Sequence, residues 1–148
     1  MNHLPLNLLL ADDDVDDCLL FKEVLDELPI LTSLNTINDG DELMKLLTKK
    51  SNTIPDVLFL DLNMPRKNGF ECLSEIKSHQ KTKHLPVIIY TTSLDPNIVS
   101  LLYEKGAHYY IRKPGDFLRL KNIIHKALTM ITPPADLKPL KENFIIEI

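Results

Sequence analysis

Five aspartates fall within six residues, Asp12, Asp13, Asp14, Asp16 and Asp17, directly after an apolar run. Carboxylates that close repel one another, and such a cluster persists only where a cation or a proton compensates it. Farther along, Asp61 follows the run Val57 to Leu60, Thr91 closes the run that starts at Val87, and Lys113 follows a short run from Tyr109 to Ile111. If those runs are neighbouring strands, Asp12, Asp13 and Asp61 meet a hydroxyl and an ammonium on one edge of a sheet. An oxygen-only ligand set with positions left for water and phosphate suits Mg²⁺ better than a caged Ca²⁺ or a nitrogen- and sulfur-seeking transition metal. Asp61 can then attack phosphorus to give an aspartyl phosphate, with the metal and Lys113 neutralising the equatorial oxygens.

The elements that must position these groups alternate in kind. Leu6 to Ala11 is nearly all apolar, as a strand buried on both faces should be, and Cys18, Phe21, Leu25 and Leu28 then recur at helical spacing. Leu31 to Ile37 reads as a more polar strand near an edge, followed by a short helix around Leu43, Leu46 and Leu47. After Val57 to Leu60, Pro65 and Gly69 break the chain before a helix carrying Phe70, Leu73 and Ile76. Val87 to Tyr90 is a fourth strand; Asp95 and Pro96 open a helix reaching Lys105, and Gly106 ends it. A fifth strand, Tyr109 to Ile111, precedes a helix with Leu120, Ile124, Ala127 and Ile131 on one face, stopped by Pro133-Pro134. Five strands alternating with five helices predict an α/β parallel sheet covered on both sides by right-handed crossovers. In such a sheet the loops leaving the carboxyl ends of the strands share one edge, where ligands bind.

Composition excludes several classes. The 148 residues suffice for one domain, and 17 basic against 21 acidic side chains give a net charge of −4, without a nucleic-acid footprint. No apolar run approaches the roughly 20 residues that span a bilayer, so a cytoplasmic protein without a membrane segment is expected. Cys18 and Cys72 lack metal-site spacing and read as buried free thiols, and the five histidines read as solvated. The apolar ending Phe144-Ile145-Ile146-Glu147-Ile148 is expected to pack on its own domain, with an added strand or a dimer contact as the other readings.

Leu8 to Asp13, Leu58 to Pro65 with Gly69, Val87 to Thr91, and Lys113-Pro114 together resemble the receiver domain of two-component response regulators, the CheY-like family. The resemblance implies a flavodoxin-like doubly wound (βα)5 three-layer sandwich with a central sheet in the order 2-1-3-4-5. It implies a receiver over residues 1–132, a tail over 133–148, and no separate output domain. Carried over by residue, Asp61 is the phosphoacceptor; Asp13 ligates Mg²⁺ directly, Asp12 assists through water, and Asn63 offers its main-chain carbonyl. Thr91 bonds the phosphoryl group, Lys113 pairs first with Asp61 and then with the phosphate, and Tyr110 turns inward on activation. Lys113-Pro114 resembles the family's cis-peptide turn. The aspartate pattern, the Thr91-Thr92-Ser93 run and the tail look most like single-domain regulators paired with phytochrome-type sensor kinases. Implied partners are a sensor histidine kinase or phosphotransfer protein, and a downstream protein met through helix four, strand five and helix five, or a homodimer. The activity implied is phosphoacceptance and self-catalysed dephosphorylation, not enzymatic turnover.

Three other readings compete. Asp12, Asp14, Asp16 and Glu23 match EF-hand positions, but the required glycine is Asp17. A haloacid dehalogenase-type phosphatase would need a second acidic motif after the lysine, where Leu120 stands. An unphosphorylated pseudo-receiver adaptor is disfavoured because all five key side chains are present. Asp14, Asp16 and Asp17 are expected to serve as helix caps and first-turn charge.

Overall fold

The computed structural model describes residues 4–131 and 138–147. Its strands are β1 (Leu6–Ala11), β2 (Thr32–Ile37), β3 (Val57–Leu60), β4 (Val87–Thr91) and β5 (Tyr109–Arg112). The α-helices are α1 (Val15–Glu27), α2 (Gly40–Thr48), α3 (Gly69–Ser78), α4 (Pro96–Glu104) and α5 (Phe117–Met130). The strands pair in parallel in the order β2-β1-β3-β4-β5, as expected.

Alternation along the strands explains the two-sided core, because successive side chains of a strand point to opposite faces. Leu9, Leu58, Leu60, Val87 and Ile89 pack on one face with Leu43, Leu47, Leu73, Ile76 and Leu102 from α2, α3 and α4. Leu8, Leu10, Val57, Phe59 and Ile88 pack on the other with Phe21, Val24, Leu120 and Ile124 from α1 and α5. The apolar runs of β1, β3 and β4 are therefore buried on both sides, whereas β2 alternates and stands at the edge.

Each α-helix begins on a side-chain cap. Asp14, Asp39, Asp95 and Asp116 accept main-chain amide hydrogens at the starts of α1, α2, α4 and α5, and Asn68 forms a reciprocal capping box with Glu71 on α3. Gly106, at φ 101°, takes the left-handed conformation after α4. The break expected between Val57–Leu60 and the next helix is present, and Gly69 is the first residue of α3. One expectation changes. His108 is buried at the start of β5, where its Nδ1 accepts the Val87 amide at 3.4 Å; pairing with a strand amide, not solvation, accounts for it. Cys18 and Cys72 are buried free thiols. The Pro133-Pro134 stop lies outside the described residues; α5 ends at Met130.

The tail docks on its own domain and also lies beside β5. The Tyr110 amide donates to the Phe144 carbonyl at 3.0 Å, and the Ile146 amide donates to the Tyr110 carbonyl at 2.9 Å. Tyr110 and Ile145 thus form an isolated parallel bridge. Phe144 and Ile146 are only 1% and 2% exposed.

Candidate functional site

Register brings the chemical groups together. Ala11 pairs with Leu60, so Asp12 and Asp61, each one residue on, leave the sheet side by side, and the Asp61 amide donates to the Ala11 carbonyl at 2.9 Å. Thr91 pairs with Arg112, and the Lys113 amide extends that ladder to the Thr91 carbonyl at 2.7 Å. Four strands thereby deliver their last residues to one edge, where open α/β sheets bind ligands.

Asp12 and Asp61 are buried, and Asp13 is exposed. One oxygen from each of the three can lie within 4.8 Å of the others. That convergence of hard oxygen donors fits a divalent cation, with solvent access on the Asp13 side. Burial pushes the Asp61 carboxyl up to about 6; Lys113 opposes the shift, Asp12 adds to it, and the Asn63 amide favours the charged form. The Asn63 amide lies 3.5 Å from Asp61 Oδ1.

Lys113 is nearly buried, and its ammonium donates to Asp12 at 2.7 Å and to Asp17 at 2.8 Å, while Asp61 stands 4.0 Å away. The expected ion pair with Asp61 is therefore present but is the longest of three, and the closest carboxylates belong to Asp12 and Asp17. The reason is geometric. Asp17 lies four and seven residues before Phe21 and Val24, both buried, so it shares the sheet-facing stripe of α1. Of the three aspartates assigned to starting the helix, Asp14 caps it and Asp16 is exposed, but Asp17 reaches into the site. The stripe is legible in the sequence, although the lysine it meets lies 96 residues on. Tyr90, also missed, places its ring 5.0 Å from the Lys113 ammonium. A calcium loop over residues 12–23 is ruled out by α1, which occupies most of that segment.

The Thr91 hydroxyl is buried and makes no hydrogen bond to any described residue. Tyr110 is fully buried, and its hydroxyl donates to the Ser93 carbonyl, two residues beyond Thr91. Gly69 supports the opposite side: a Cβ there would come within 2.5 Å of the Asp61 carbonyl, so only glycine lets the start of α3 approach so closely.

A parallel sheet in this order with carboxylates, a hydroxyl and a lysine at its carboxyl edge defines a receiver. The chain belongs to the response regulator receiver family, whose domain model matches residues 8–125, and is a response regulator of the phosphorelay type. It is 34% identical over 139 residues to the response regulator Rcp1 of Synechocystis, covering 88% of this chain and 95% of that one. Among solved structures, the phosphorylated cyanobacterial phytochrome response regulator RcpA is 29% identical at a TM-score of 0.79, covering 87% of this chain and 98% of its own. The Mn²⁺-bound form of Rcp1 gives the same identity and TM-score over 92% of this chain and 100% of its own. No described helix is long and apolar enough to cross a membrane.

Proposed function

We propose that Asp61 accepts a phosphoryl group from a sensor histidine kinase or phosphotransfer protein in the cytoplasm, with Mg²⁺ held by Asp12, Asp13, Asp61 and the Asn63 carbonyl. The observation that carries this reading is the meeting of three carboxylates with Lys113 and an unpartnered buried hydroxyl on Thr91. Mg²⁺ supplies charge neutralisation on the phosphoryl oxygens. Lys113 holds compensating positive charge beside Asp61, and the Thr91 hydroxyl offers a donor that a phosphoryl oxygen would satisfy. Similarity to RcpA supports a phytochrome-type kinase as donor.

The receiver covers residues 1–132, with the tail over 133–148, and its output is a change in protein contacts, not catalytic turnover. A partner or a second copy would meet the α4–β5–α5 face; a groove of about 730 Å³ between the end of β5, α5 and the tail, lined by Arg112, Leu118, Arg119, Ile123 and Ile145 among others, supports a contact on the β5–α5 part of it.

Incubation with a small phosphodonor and Mg²⁺ is expected to yield one base-labile adduct, seen as a mass increase, that disappears in Asp61→Asn. An adduct surviving that substitution overturns the assignment, and Mg²⁺ binding without any adduct indicates the adaptor reading.

A further inference from the structure

The tail touches the site through a continuous set of bonds. Tyr110 is held on both main-chain groups by Phe144 and Ile146. The Phe144 ring lies 6.2 Å from the Tyr110 ring and 5.3 Å from that of Tyr103. The Tyr103 hydroxyl donates to the Pro139 carbonyl at 2.8 Å, and Lys126 donates to the Glu147 carbonyl. From Tyr110 the connection runs in two directions: its hydroxyl bonds Ser93, just past Thr91, and three residues along the chain stands Lys113.

We propose that the tail buttresses the phosphoryl site: Phe144 and Ile146 are positioning residues that hold Tyr110, and through it the Thr91-to-Ser93 loop, in the arrangement that receives a phosphoryl group. This rests on the phosphoacceptor reading above. With the tail docked, the Thr91 hydroxyl is already buried and lacks an acceptor. A buried donor without a partner is a cost that an added oxygen relieves. Phosphoryl binding and tail docking therefore favour the same arrangement and must strengthen one another by the same factor.

The test uses the full chain with Mg²⁺ and fluoroberyllate, a phosphoryl analogue that needs no phosphodonor. Fluoroberyllate is expected to slow exchange of the Ile146 amide hydrogen about tenfold, within the usual range of coupling between two sites. Phe144→Ala, and Ile146→Pro, which removes the donated hydrogen bond, are expected to weaken fluoroberyllate about tenfold while leaving Mg²⁺ affinity within about twofold; Ile146→Val restores both. Parallel loss of Mg²⁺ and fluoroberyllate affinity would mark a merely structural tail and overturn the proposal. So would fluoroberyllate binding with Ile146 exchange unchanged or accelerated, a measurement on the unaltered chain that leaves the phosphoacceptor reading standing. Mg²⁺ binding without fluoroberyllate binding overturns that reading and the buttress together.

Discussion

Asp61 sets burial against charge. With its carboxyl raised from an ordinary 3.8 to about 6, the folded chain keeps a proton that the unfolded chain releases between those values. The resulting stabilisation is fully present below pH 3.8 and is lost as pH rises through about 6. At pH 7 without metal, the charged carboxylate disfavours the fold. Asp61→Asn is therefore expected to raise the unfolding free energy by about 1 to 3 kcal/mol at that pH. Mg²⁺ should stabilise the unaltered chain and leave the variant nearly unmoved, as urea titrations would show. Asp17 invites a second test. When a metal engages Asp12, Asp17 remains as the other close anchor of Lys113. Asp17→Asn should turn Lys113 back onto Asp12, in competition with the ion, and weaken Mg²⁺ about three- to tenfold, up to about 1.4 kcal/mol. The exposed Asp16→Asn removes the same charge without that contact and should change affinity little in calorimetry.

Where strand passes into helix, small residues decide whether the acidic edge holds its shape. At the start of α3, the Gly69 amide donates to the Leu62 carbonyl at 3.0 Å, and an added Cβ would press on the Asp61 carbonyl. Gly69→Ala is expected to cost roughly 1 to 3 kcal/mol by overpacking and to weaken Mg²⁺ binding with it; thermal unfolding and calorimetry check the pair. This close approach also shows how far sequence reading carries. The double-sided strands were legible because their apolar runs admit no solvated face, and the Asp95-Pro96 helix start because proline suits that position. Asp12, Asp61, Thr91 and Lys113 were legible as strand ends, which parallel topology must gather. Gly69 was legible as part of the break before α3, but the clash an added Cβ would make with a main-chain oxygen eight residues earlier leaves no mark in local periodicity. Asp17 and His108 escaped for a related reason: each answers to a partner on another element.

Across the whole molecule, the tail joins the core of one sheet face to the outer side of β5. Phe144 belongs to the same buried cluster as Leu73, Val99 and Leu102. Phe144→Ala is accordingly expected to destabilise the chain by about 3 to 5 kcal/mol, the range for a fully buried phenylalanine; a denaturant midpoint measures it. The apolar ending announced that the tail must be covered, but not by what, since any apolar surface would serve. Its place at the margin of the sheet has a further consequence for how copies of the chain behave in concentrated solution. A lone edge strand offers its main-chain donors and acceptors as a template for neighbouring molecules, and natural sheets guard against this. Here the guard is the segment Phe144 to Ile146, which satisfies both main-chain groups of Tyr110, so detaching it would expose a ready seed for strand-to-strand aggregation.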